Sequence, residues 1–188
     1  LLRIYDWDGS NWVQVGSDIV GANQDGELGS SLAMSDDGTY FVAGSFGTAG
    51  APFGSAYIYK FDGTDWVQHG QTLIGAQNQG WFGISVDISA DGSAVVVGER
   101  RMNNRFMVYD FDTGSNQWIQ RGPDLLGSAY GINVGTTVTM SADGITVASG
   151  GPETTVDFAQ QGGVVVLDWD GSSWVQRGSV ILGGTIYE

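Results

Sequence analysis

Apolar and polar residues alternate along this chain in short runs, and Asp/Gly phrases cut the runs apart. A period of two predicts half-buried strands, and no stretch shows the three-and-four spacing of an amphipathic helix. The runs recur in a fixed order. A first strand is predicted at "GSSLAMS" (29–35), "GISVDIS" (83–89) and "GTTVTMS" (135–141). Each ends in a turn phrase, "DDG" (36–38) or "ADG" (90–92 and 142–144), which is a strong hairpin signal because these residues accept positive φ. The second strands, "TYFVAGS", "SAVVVGE" and "ITVASGG", are nearly continuous apolar runs and so read as buried on both faces. Third strands follow at "SAYIYKF" (55–61), "FMVYDF" (106–111) and "GVVVLDW" (163–169).

A fourth strand carries one five-residue phrase four times: "WVQVG" at Trp12, "WVQHG" at Trp66, "WIQRG" at Trp118 and "WVQRG" at Trp174. It continues into a weaker apolar pair and a glycine, as in "LIG" (73–75) and "LLG" (125–127). The tryptophans stand 54, 52 and 56 residues apart, a regularity that marks a repeat architecture. Four antiparallel strands in about fifty residues, repeated without helices, describe a β-propeller blade. The expected fold class is therefore all-β, with about 3.5 blades. Residues 1–21 are a half blade, followed by blades at 22–75, 76–127 and 128–184. Each Trp is expected between its own blade and the next, with the glycine of its phrase giving room for a close approach. Half a unit and three full ones leave a ring open. The expectation is a longer polypeptide of roughly 300–430 residues for six to eight blades, or docking onto a partner, since open ends favour association.

At "FGISVDISADGSAVVVGE" (82–99) followed by "FMVYDF", the chain resembles the FG-GAP repeats of integrin α-chain propellers. Phe82-Gly83 supplies the FG, and Leu28-Gly29 and Val134-Gly135 stand in its place in the sister units. The hairpin "VYDFDTGSNQW" (108–118) is also similar to a kelch unit, and the Asp/Gly/Trp pattern to the Asp-box turns of sialidases. All three resemblances imply a propeller. The first would bring calcium, yet "SDDG" and "SADG" are short and poor in carboxylates for a cation that takes six to eight oxygens.

Composition narrows the function. A net charge of −14, from 7 basic and 21 acidic residues, argues against nucleic acid as a partner. No apolar run approaches the ~20 residues of a membrane span, and cysteine is absent, which excludes thiolate chemistry. The single histidine, His69, occupies a position that is Val15, Arg121 and Arg177 in the sister copies, an outward-facing strand site. Asp6/Asp8 and Asp168/Asp170, in the two "DWDG" phrases, are the metal candidates, although a hairpin turn needs Asp and Gly there anyway. Asp87 is the one acid on an innermost strand, where glycoside hydrolysis would need two.

Geometry gathers the variable loops on one face: 46–54, 100–105 and 152–162, with the crossings 22–27, 76–81 and 128–133. A rigid scaffold with variable loops on one side is a common design for binding. Arg100, Arg101 and Arg105 concentrate basic charge there, and Trp81 and Tyr130 add aromatics, so these five are the expected binding residues. The expected function is a non-enzymatic binding or scaffold module for a protein or carbohydrate, without a cofactor and with a place as a subunit of a larger assembly. Its expected setting is extracellular or at a cell surface. Two alternatives stand: a propeller glycosidase or lyase with its catalytic residues elsewhere, and an extracellular structural or adhesive repeat protein.

Overall fold

A computed structural model describes residues 1–21, 27–47, 53–76, 80–101, 104–130, 132–152 and 162–184. Strands β1 (Leu2–Trp7) and β2 (Trp12–Ile19) pair as a two-stranded sheet. Three larger antiparallel sheets follow. The first holds β3 (Ser31–Met34), β4 (Tyr40–Ser45), β5 (Ser55–Phe61), β6 (Trp66–Gln68) and β7 (Leu73–Ile74). The second holds β8 (Phe82–Ile88), β9 (Ala94–Glu99), β10 (Arg105–Asp112), β11 (Gln117–Gln120) and β12 (Leu125–Leu126). The third holds β13 (Thr137–Met140), β14 (Thr146–Gly151), β15 (Gly163–Trp169), β16 (Trp174–Gln176) and β17 (Ile181–Leu182). The sheets are blades of a β-propeller.

Local chemistry explains the hairpins. In the first turn of each larger blade, Asp37, Asp91 or Asp143 accepts from the hydroxyl of Ser35, Ser89 or Ser141 and from a backbone N–H two residues on. This Asx geometry closes the turn with side-chain bonds and lets the ladder restart at once. The outer strand departs from the simple four-strand reading. In the larger blades a glycine in the left-handed region ends it, and the apolar pair beyond re-pairs with the third strand as β7, β12 or β17.

The core is divided among the joints between blades. Phe41, Ala43 and Trp66 pack with Ile19 at the first joint. Val42, Ile58, Val86, Val97 and Trp118 fill the second. Val96, Phe106, Val134, Val147 and Val165 fill the third. Strand β9 supplies two joints at once, Val95 and Val97 on one side and Val96 on the other, so it is buried along its whole length.

The tryptophan phrase is a joint device, and it reaches backward along the chain. Nε1–H of Trp66, Trp118 and Trp174 donates to the carbonyl of Val15, His69 and Arg121 in the preceding blade, at 3.2, 2.8 and 2.9 Å. Each acceptor directly precedes the phrase's own glycine. A methyl group at Gly16 would lie 2.9 Å from Trp66 Cδ1, and one at Gly70 would lie 2.8 Å from Trp118 Cδ1. The glycine therefore serves the neighbour's ring. Trp66 and Trp118 are 8% and 2% exposed as a result. Near the propeller axis Ser31 and Ser85 donate to the Gly83 and Gly135 carbonyls of the next blade, at 2.9 and 3.1 Å. At the turns, Asp36 N–H bonds Ala90 O and Ala90 N–H bonds Ala142 O.

Candidate functional site

Of the expected binding residues, the structure brings two into contact. The Arg101 guanidinium lies 4.1 Å from the centroid of the Trp81 ring. Both residues hold left-handed backbone, φ 99° for Arg101 and 59° for Trp81, a conformation that is costly for bulky side chains and that clusters at binding sites. Trp81 is half-buried and Arg101 is exposed. Phe46, which the sequence did not single out, tilts against Trp81 with centroids 5.7 Å apart. Its only sequence signal was an aromatic opening a loop. Arg100 is half-buried, and among the described residues neither Arg100 nor Arg101 has a carboxylate within ion-pair reach.

Arg105 does not belong with them. It stands opposite Glu99 on β9 and is 9% exposed. Its Nε and Nη2 donate to Glu99 Oε2 at 3.0 and 2.8 Å, and its Nη1 to Asp124. A guanidinium so committed is unavailable to a partner, and Arg105 leaves the binding set. The mate was present in the sequence: Glu99 ends a strand of valines, and a fully buried carboxylate requires a paired charge. Tyr130 is half-buried against the third joint, and burial pushes its phenol pKa up. Much of the variable-loop set, 22–26, 48–52, 77–79, 102–103, 131 and 153–161, lies outside the described residues.

The metal candidates spend their oxygens locally. Asp8 accepts from the N–H groups of Ser10 and Asn11, and Asp6 from Trp7 N–H. Asp170 accepts from Ser172 and Ser173, whose backbone N–H groups hold its carboxyl down at about 2. Asp168 forms a two-pronged pair with Arg177, both contacts at 2.7 Å. These are turn and strand contacts. No group of three or more His, Asp or Glu side chains converges among the described residues.

The remaining candidates for chemistry are also occupied. Asp87 clasps the next blade, accepting from Thr139 Oγ1 at 2.8 Å and Met140 N–H at 2.7 Å. His69 does not face outward freely. Its ring stacks on Phe111 with centroids 3.8 Å apart, and burial, with Lys60 as a lesser cause, lowers its pKa. No helix among the described residues is long and apolar enough to cross a membrane.

No protein-family model matches the chain, and no curated protein is recognisably similar to it in sequence. Solved structures share its fold. A hypothetical selenium-binding protein from Sulfolobus tokodaii superposes with a TM-score of 0.61 at 14% identity, over 97% of this chain and 48% of that one. A putative 6-phosphogluconolactonase from Bacteroides fragilis gives 0.55 at 14% identity, over 82% of this chain and 39% of that one. The Cps50 (Swd1) β-propeller domain from Myceliophteria thermophila gives 0.54 at 11% identity, over 93% of this chain and 50% of that one. The chain thus spans half or less of the length of these three structures, and at these identities the likeness is one of fold: this protein is an array of β-propeller blades.

Proposed function

We propose that this chain is a binding module of the FG-GAP-like kind, docking an anionic protein surface or a sulfated or carboxylated glycan on its variable-loop face. The observation that carries the reading is the Arg101–Trp81 contact, in which two side chains without counterparts in the sister blades are held together by left-handed backbone. A surface cation–π contact contributes only about 0.5–1 kcal/mol, which leaves the pair free to re-engage a ligand. An arginine laid flat over an indole presents its N–H edge to an anion while the aromatic face nearby suits a sugar ring. Arg100 adds a second charge to this patch on a strongly acidic chain, which orients an acidic partner toward it.

A glycan array and pull-downs with Arg100→Ser/Arg101→Ser and with Trp81→Ala test the reading. Binding by the native chain is expected to weaken as salt rises, and both variants to lose it with melting unchanged. Binding that persists in both variants would remove the site. For the enzyme alternative, the inner-strand acid Asp87 has Oδ2 engaged by Thr139 and Met140 across the third joint and Oδ1 by Ile88 N–H of its own strand.

A further inference from the structure

In two of the three larger blades an ion pair ties the third strand to the tryptophan phrase. Asp110 holds Arg121 and Asp168 holds Arg177, each carboxylate meeting two guanidinium nitrogens. The remaining blade has Lys60 and His69 at the same places. Strand register fixes the equivalence. Lys60 stands opposite Val67, as Asp110 stands opposite Ile119 and Asp168 opposite Val175, and the histidine or arginine follows two residues later. This blade has therefore exchanged the acceptor of the pair for a second donor.

Both donors converge on one ring. Tyr40 is the cross-strand neighbour of Lys60, whose Nζ lies 5.1 Å from the Tyr40 centroid. The His69 ring meets Tyr40 edge-on, with centroids 5.3 Å apart, and is backed by Phe111 at 3.8 Å. Tyr40 rests on the next blade's turn, where a methyl group at Gly92 would collide with its ring. Lys60 is exposed and His69 half-buried. Among the described residues, no carboxylate lies within ion-pair reach of Lys60. Burial first and the Lys60 charge second lower the His69 pKa, so the two cations act on each other without an anion between them. The acids on the surrounding elements are spent elsewhere. Asp37 and Asp91 accept from the hydroxyls of Ser35, Thr39, Ser89 and Ser93, Asp112 accepts from Ser115, and Asp110 holds Arg121. Hydrogen bonds keep the Asp37, Asp91 and Asp112 carboxyls below their ordinary pKa, so they stay ionised while His69 titrates.

We propose that the notch formed by Tyr40, Lys60 and His69 binds the carboxylate of a small organic acid, which supplies from outside the acceptor that Asp110 and Asp168 supply in the sister blades. Lys60 and the protonated His69 donate to it. A carboxylate favours the charged imidazole, because a nearby opposite charge stabilises the protonated form. The acid therefore binds more tightly below the His69 pKa than above it. The sister blades show that one carboxylate suits this cross-strand place. A single negative charge is also what the surroundings admit, since the turn aspartates of a chain with net charge −14 repel a polyanion. The notch lies in the joint between two five-stranded sheets, and its occupation is independent of ligand binding on the loop face.

Histidine proton NMR over a pH series tests it, and His69 is the chain's one histidine, so its titration is read without overlap. At constant ionic strength, acetate is expected to move the His69 midpoint upward and to saturate. Acetamide, its uncharged isostere, should leave the midpoint in place. Acetate should bind about tenfold more tightly to the protonated than to the neutral form, the weight of one ion pair partly shielded by water. Lys60→Met should weaken acetate by about the same factor, with melting unchanged because the residue is exposed. Lys60→Asp restores the sister arrangement. It should raise the midpoint without acetate and abolish the response to acetate. A midpoint indifferent to acetate, an equal response to acetamide or chloride, or a full response in Lys60→Met would each overturn the proposal. Inorganic phosphate binding more tightly than acetate would overturn it too, by making the notch a phosphate site.

Discussion

Trp118 and Trp81 belong to the same blade and do opposite things. Trp118 is 2% exposed, bonds the preceding blade through His69, and has a counterpart at the same phase in every unit. Trp81 is half-buried, holds left-handed backbone and has no counterpart at its alignment position. The joint repeats because it must satisfy one geometry: a ring, a glycine that admits it, and a carbonyl that accepts its N–H. The loop face carries no such obligation, since residues beyond the ends of a sheet need not fit a neighbour's ladder. Their backbone strain is tolerated where the rigid blades hold it. Repetition therefore marks structure in this protein, and departure from repetition marks the place to look for function.

The largest effect expected from breaking that contrast lies in the joint. Trp118→Ala should destabilise the chain by about 3–5 kcal/mol, the usual range for a buried large aromatic. Trp81→Ala should stay below about 1 kcal/mol, as surface changes do. Denaturant titration of the two variants measures both, and equal losses would abolish the distinction between joint and loop face.

A smaller but sharper contrast separates two arginines of one connection. Arg105→Ala strands the buried Glu99 carboxylate beside an empty site and should cost about 3 kcal/mol. Arg101→Ala should leave stability nearly unchanged, because its guanidinium lies over the Trp81 ring at the surface. Comparable melting of the two variants would mean that Arg105 is not held as described.

The smallest effect is a pH dependence from the second joint. His69 has its pKa below the ordinary value near 6.5, first through burial and then through Lys60. The unfolded chain then takes up the proton more readily than the folded one. Stability from the neutral ring is complete above about pH 6.5 and declines as pH falls from there through the lower folded-state value. Melting temperature against pH should show this decline in the native chain, and His69→Gln should flatten it. An identical profile in the two proteins would assign the titration elsewhere.

Strand phase, hairpin positions and the joint tryptophans were legible in the sequence because they rest on preferences that act within a few residues. Alternation places one face inward, and Asp-Gly bends the chain, whatever lies far away. The role of the phrase glycine was legible in part, as room for a ring. That the ring belongs to the following blade, about fifty residues on, emerged only when the sheets were stacked. Arg105 shows the same boundary. Sequence proximity grouped it with Arg100 and Arg101, yet strand pairing turned it toward Glu99, and Asp124 reached it from the outer edge. Asp87 looked like a lone acid until the next blade brought Thr139 beside it, and Phe46 met Trp81 across two connections. By itself the sequence determined which segments are strands and which residues every unit shares. The tertiary structure decided which side chains from distant segments meet, because those contacts depend on blade stacking and on the face each side chain takes, which local preference does not encode.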